Sequence, residues 1–180
     1  TPRGLVVAGD GRLEMRRAVA GVPLDQFQKH LLAEAHAAGK LQHPHIVSVY
    51  DAGVEGYQNY IVMEYVHGHT LRDFLPEKKR LPVADVIDII FKCAKALDYA
   101  HREGVVHRDI KPANLLLDGS GIVWITDFGL ATAIKEQGSG ASFVGTPAYM
   151  APEQLQHAET SVRSDIYSLG LVLYEVFAGE

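Results

Sequence analysis

Between His107 and Gly129 the sequence runs HRDIKPANLLLDGSGIVWITDFG. Two carboxylates, Asp109 and Asp127, and one carboxamide, Asn114, interrupt a stretch otherwise rich in strand-forming apolar residues. Burying such groups is costly unless each finds a partner. Leu115 to Leu117 and Ile122 to Thr126 read as two short arms, joined by a turn over Asp118 to Gly121. This is a β-hairpin pattern. Closing the hairpin carries Asn114 and Asp127 to one open end, with Asp109 just upstream. Oxygen donors gathered in this way suit a hard cation such as Mg²⁺ holding phosphate oxygens, with a further carboxylate beside it. Three satisfied loop residues are the alternative, because Asn and Asp are common in turns.

These residues need elements to hold them. Upstream, LPVADVIDIIFKCAKALDYAHREG predicts a long helix with Val83, Ile87, Ile90, Ala94 and Leu97 on its buried face. Pro82 suits its first turn and Gly104 its stop, so Asp109 falls in the loop that follows. Downstream, IYSLGLVLYEVFAG is too short to span a bilayer and contains Glu175, which predicts a fully buried helix. At the front, GLVVAGDGRLEMRRAVAGV predicts short strands joined by a turn at Gly9 to Gly11. From Asp25 to about Lys40 the period becomes helical through Phe27, Leu31, Ala35 and Ala38, with Glu34 beside that stripe. Two strand patterns follow, HIVSVYD and YIVMEYV. A boundary near Val66 to Thr70 separates the strand-rich front from the helix-rich back.

Bulk composition narrows the function classes. Hydrophobic residues make up 47% and charged residues 22% of the 180, values of an ordinary soluble globular protein. The net charge of -5 argues against a general binder of nucleic acid or anionic membrane. The single cysteine, Cys93, lies in an apolar helical pattern and is expected to be a buried structural thiol. No disulfide can form within the chain, which fits a reducing compartment. The opening TPRGLVVAGDGRLEMRR lacks the apolar core and cleavage pattern of a signal peptide. Both ends are expected to be truncations, since the chain starts without Met and stops inside an apolar helical pattern.

HRDIKPAN, followed by DFG at Asp127 and by Ala151-Pro152-Glu153, resembles the eukaryotic-type protein kinase family. One such triplet is weak evidence; three in order are strong. The resemblance implies an α+β two-lobe fold, here incomplete. A strand-rich lobe with one helix would cover 1–66, and a mainly helical lobe 67–180. It implies transfer of the γ-phosphoryl group of ATP, with Mg²⁺, to a protein substrate. Asp109 would orient the substrate hydroxyl and Lys111 would neutralise the transferring group. Asn114 and Asp127 would hold Mg²⁺. Leu116 would floor the adenine site and Met63 would back it, while the backbones of Glu64 and Val66 would bond the base. Glu34 resembles the helix glutamate that pairs with a strand lysine, and Asp165 the buried acid that braces the catalytic loop. Arg108 would receive a phosphate from the segment holding Ser139, Ser142 and Thr146. Ser142 or Ser139 is the expected modified residue, with Thr146 contacting Asp109 and Lys111. Lys111, together with GTPAYMAPE, resembles the serine/threonine branch, and the overall style resembles bacterial members.

Two features of that family are missing. No lysine occurs between Thr1 and Gln28, so Arg16, Arg17 or Gly21 would stand where the strand lysine belongs. A guanidinium fork does not replace a compact ammonium. The glycine-rich loop is not recognisable either: Gly4 would be its last glycine, and the pair at Gly9 to Gly11 reads better as a hairpin turn. The arginine that pairs with Glu153 in the family would lie beyond Glu180. Two readings follow: a serine/threonine kinase of the cytoplasm, with any membrane tether outside this chain, and a scaffold that regulates a partner with weak or no nucleotide binding.

Overall fold

In YIVMEYV, Ile61 and Met63 are buried while Val62 and Glu64, which alternate with them, are only partly covered. That alternation is the two-residue period of a strand with one packed face. The computed structural model describes residues 3–7, 13–19, 32–55, 58–75, 80–128, 147–156 and 158–178. Four antiparallel strands form the first sheet: β1 (Arg3–Val7), β2 (Leu13–Val19), β3 (Val49–Glu55) and β4 (Gln58–Glu64), in the order β1-β2-β4-β3. Arg16 stands opposite Val62 and Arg17 opposite Ile61 in the β2–β4 register. The turn at Gly9 to Gly11, together with Gly21, Phe27 and Leu31, lies outside the described residues. Helix α1 is described over 32–38, with Ala35 and Ala38 buried.

The predicted strand HIVSVYD is only half a strand of this sheet. Ile46 instead forms a parallel bridge to Ile125. The amide of Val47 donates to Ile125 O at 2.9 Å, and that of Ile125 donates to His45 O at 2.8 Å. Side chains explain the diversion. His45 Nδ1 donates to Val123 O at 2.9 Å, Gln42 N–H donates to the Tyr99 hydroxyl at 3.2 Å, and the His43 ring stacks on Tyr99. The backbone of 45–47 is therefore bonded elsewhere before β3 begins.

The expected hairpin is present as β6 (Leu115–Asp118) and β7 (Val123–Ile125), with Leu115 opposite Ile125. Asp118 holds its turn by accepting the amides of Ser120 and Ile122 at 2.8 and 2.9 Å. A third strand, β5 (Gly68–Thr70), pairs with β6 and runs into a 3₁₀ turn at Leu71–Phe74. Gly68 lies so close to β6 that a Cβ there would sit 1.9 Å from Leu117 O. Gly68→Ala should therefore cost about 1–3 kcal/mol, the usual penalty of overpacking. Urea denaturation measures this, and an unchanged midpoint would contradict the β5–β6 pairing.

Helix α2 (Val83–Arg102) begins after Pro82 and closes at Gly104, whose φ of +77° is the left-handed conformation that favours glycine. Its buried face is Val86, Ile89, Cys93, Ala96, Leu97 and Ala100. This corrects the predicted stripe: Ile87 is 57% exposed and Val83 is exposed too. Apolar residues cover more than half of this helix, so periodicity alone left two rotations open. The face with Cys93, Ala96 and Ala100 is packed because small side chains allow close approach. Cys93 is fully buried, and burial pushes its thiol up to about 12.

After a short helix α3 (Pro152–Leu155), α4 (Val162–Ala178) packs against α2. The expectation of a fully buried α4 is also corrected. Leu169, Val172 and Val176 are buried, whereas Ile166, Tyr167, Tyr174 and Phe177 are exposed on the other side. Among the described residues nothing covers that second face. The larger apolar core joins α2, α4 and the β6–β7 hairpin, and also takes in Ala38, Leu41 and Ile46. A smaller core joins Ala35, Val47, Ile61 and Met63. No described helix is long and apolar enough to cross a membrane.

Candidate active site

The loop after α2 is shaped from below by one buried acid. Asp165, in the first turn of α4, is 1% exposed. Its Oδ2 accepts the His107 amide at 2.8 Å and its Oδ1 accepts the Arg108 amide at 2.7 Å. The His101 ring lies 2.8 Å from the same carboxylate through Nε2. Burial alone would raise the pKa of Asp165. The His101 hydrogen bond, the nearby His107 ring and the two amides outweigh it and hold the carboxyl below its ordinary range. Arg108 has φ +67°, a left-handed conformation unusual for a non-glycine residue. Both backbone polar groups of Arg108 are bonded, since Gln154 Nε2 donates to its carbonyl at 2.9 Å.

His107 links this loop to the hairpin. Its Nε2 is 2.9 Å from Thr126 O, an acceptor, so Nε2 carries the proton. Its Nδ1 then accepts the Asp109 amide at 3.2 Å, and its ring packs on Phe128. Asp109 is thereby fixed on the backbone side. On the side-chain side its Oδ2 accepts Lys111 Nζ at 2.6 Å and Asn114 Nδ2 at 3.0 Å. The same Nδ2 donates to Asp109 O at 2.8 Å. Asn114 is buried in the 3₁₀ turn Pro112–Asn114, and its donor nitrogen is committed to Asp109. Among the described residues its Oδ1 accepts no hydrogen bond.

The hairpin joins its two arms where the sequence pattern expected. The Thr126 amide donates to Asn114 O at 3.0 Å, one residue before Asp127. Asp127 has φ +65°, the second left-handed non-glycine residue among those described. Asp109, Lys111 and Asn114 are thus in direct contact, and Asp127 follows the residue bonded to Asn114. Asp127 also lines a small cavity with Ala35, Met63, Thr126 and Phe128. Met63 is buried there, with Thr126 Oγ1 3.8 Å from its sulfur. Leu116 and Val66 both pack on the apolar cluster that contains Met63. Val66 lies between β4 and β5, so its backbone is committed to neither strand. Glu64 exchanges bonds with Ser48: its amide donates to Ser48 O at 2.8 Å, and its Oε2 accepts the Ser48 amide at 3.4 Å. No cluster of three or more His, Cys, Asp or Glu side chains able to hold a metal occurs among the described residues.

Glu34 is not held by a strand lysine. Its Oε1 accepts Arg108 Nη1 at 3.1 Å, with both side chains partly shielded from solvent. The physical reason is composition, because β2 carries Arg16 and Arg17 and no lysine. Ser139, Ser142 and Thr146 lie outside the described residues. Glu153 accepts Ser164 Oγ at 2.6 Å, and this bond lowers its pKa. Two residues of the site escaped the sequence reading. His101 gave only the signal of a histidine ending a helix. Gln154 gave none beyond its place directly after Ala151-Pro152-Glu153.

A model of the protein kinase domain matches residues 18–180. Curated relatives agree. The chain is 43% identical over 157 residues to a probable serine/threonine-protein kinase of Clostridium perfringens, covering 86% of this chain and 23% of that protein. It is 44% identical over 161 residues to the serine/threonine-protein kinase PknB of Mycobacterium leprae, covering 86% and 26%. A probable serine/threonine-protein kinase of Streptomyces coelicolor is 41% identical over 182 residues, covering 94% and 27%. The chain spans about a quarter of the length of these relatives.

Proposed function

The chain belongs to the protein kinase family, and from that premise we propose that it carries the catalytic site of a protein serine/threonine kinase. The reaction is transfer of the γ-phosphoryl group of ATP to Ser or Thr hydroxyls of a protein substrate. One observation carries this reading above the others: Asp109 Oδ2 is held between Lys111 Nζ and Asn114 Nδ2, at the end of the hairpin that leads to Asp127. Asp109 takes or orients the proton of the attacking hydroxyl, which is a poor nucleophile without a base. Lys111, already 2.6 Å from Asp109, neutralises charge on the transferring group.

Residues 1–66 and 67–180 act as the two lobes. Met63, Glu64 and Val66 lie at their junction, where Met63, Val66 and Leu116 offer apolar walls for adenine, and the Glu64 carbonyl, whose own amide is spent on Ser48, and the Val66 backbone offer hydrogen bonds. The donor set fits Mg²⁺: one carboxylate, Asp127, and one carboxamide oxygen of Asn114 whose nitrogen is tied to Asp109. Mg²⁺ binds few protein ligands and completes its shell with water and phosphate oxygens, where it neutralises phosphate charge. A cytoplasmic site agrees with the buried, unpaired Cys93.

The observation favouring the scaffold reading is the Glu34–Arg108 pair, in a chain whose β2 carries no lysine for Glu34. Nucleotide binding separates the readings. With ATP and Mg²⁺ at about a hundred times Kd, the melting temperature should rise by about 5–10 °C. Asp127→Ala should remove most of the part of that rise that depends on Mg²⁺. No shift in the parent protein, or the same shift in Asp127→Ala, would contradict the proposed site.

A further inference from the structure

The peptide unit between Arg108 and Asp109 is held at both of its polar atoms. Its N–H, belonging to Asp109, donates to His107 Nδ1 at 3.2 Å. Its carbonyl, belonging to Arg108, accepts Gln154 Nε2 at 2.9 Å. A peptide unit is planar and rigid, so fixing both atoms fixes the direction in which the chain enters Asp109. That entry follows a residue at φ +67°, a conformation that persists only where its surroundings enforce it. Asp165 holds the amide on the near side of Arg108, and Gln154 holds the carbonyl on the far side.

Gln154 is itself buried and fully oriented. Its Oε1 accepts the Ala151 amide at 3.0 Å, which assigns Nε2 as the donor to Arg108. Ala151 is buried too, so the turn from Ala151 to Leu155 and the loop at Asp109 share one side chain across 46 residues of sequence. A buried glutamine has many ways to satisfy its amide. This one bonds the carbonyl directly before the proposed base.

We propose that Gln154 is a positioning residue for Asp109: its side-chain amide locks the Arg108–Asp109 peptide and ties the turn at Ala151 to Leu155 to the base. This rests on the kinase reading above for its catalytic consequence, though not for the clamp itself. The test is Gln154→Met, which keeps volume and removes both bonds, in the full-length protein that carries this chain. With Mg²⁺-ATP and a serine-rich protein, kcat should fall by about ten- to a hundredfold, the scale of a slightly misplaced catalytic group. The KM for ATP should stay within about twofold, because the proposed adenine walls at Met63, Val66 and Leu116 do not include this peptide. A folded Gln154→Met with unchanged kcat overturns the proposal.

Gln154→Glu gives a second, independent reading if the Met variant does not fold. It keeps the acceptor for Ala151, but when ionised it sets a carboxylate against the Arg108 carbonyl. Protonation restores a donor, so its rate relative to the parent should climb as pH falls from about 8 to about 6. A ratio that stays flat overturns the clamp. Absence of transfer in the parent would instead sink the kinase reading, and amide exchange at Asp109 then decides alone. Exchange at least about tenfold faster in either variant supports the clamp; an unchanged rate refutes it.

Discussion

Asp165→Ala should destabilise the folded chain by about 3–5 kcal/mol, the scale for removing one partner from a buried charged network. The carboxylate accepts the amides of His107 and Arg108 and pairs with the His101 ring, all within 2.8 Å. Alanine leaves those two amides without their acceptor, at about 1–3 kcal/mol for each that stays buried. It also releases Arg108 from the anchor of its left-handed backbone. Against a typical total of about 5–15 kcal/mol, that loss decides whether the domain stays folded. Asp165→Asn keeps one acceptor oxygen and should lose roughly half as much.

The pH dependence has a definite sign. The folded-state pKa of Asp165 is depressed, so its contribution is fully present above the ordinary carboxylate range near pH 4. It is lost as pH falls through the lower folded value. Urea titrations repeated from about pH 7 down to about pH 3 should show the parent losing stability more steeply than Asp165→Asn. Parallel curves would mean that the brace does not titrate as described.

The parts of this molecule that the sequence made legible are those where a local rule and a chemical need coincide. Asp118 to Gly121 marked the hairpin turn, and closing the hairpin puts Asn114 beside Thr126, one residue before Asp127. The bracing role of Asp165 was legible only through the family resemblance, and its carboxylate does accept the His107 and Arg108 amides. What stayed hidden was set by packing between distant segments. The choice of Cys93 and Ala96 over Val83 and Ile87 as the buried face of α2 is made by α4, and the diversion of His45 to Val47 by β7. Glu34 meeting Arg108, and Gln154 meeting the Arg108 carbonyl, bridge 74 and 46 residues and leave no local pattern.

Asp109→Asn should have the largest effect on activity. The substitution preserves shape and leaves one acceptor for Lys111 and Asn114, so the fold should lose only about 1 kcal/mol from a partly exposed pair. Chemistry should suffer far more. A carboxamide cannot take the proton of a serine hydroxyl, and removing a positioned general base typically lowers a rate by 10²–10⁴-fold, or about 3–5 kcal/mol of barrier. Lys111 also loses its charged partner at 2.6 Å, which frees the ammonium to leave the site. Intact Mg²⁺-nucleotide stabilisation in Asp109→Asn, beside lost turnover, would separate the base from the cation site.

The decisive measurement is transfer of labelled γ-phosphate from Mg²⁺-ATP to a serine-rich protein, by the full-length protein and by its Asp109→Asn variant. The hydrogen bonds around Asp109 predict clear transfer by the first and at least about a hundredfold less by the second. Equal rates in the two, or none in either while both bind the nucleotide, would contradict a catalytic role for this site.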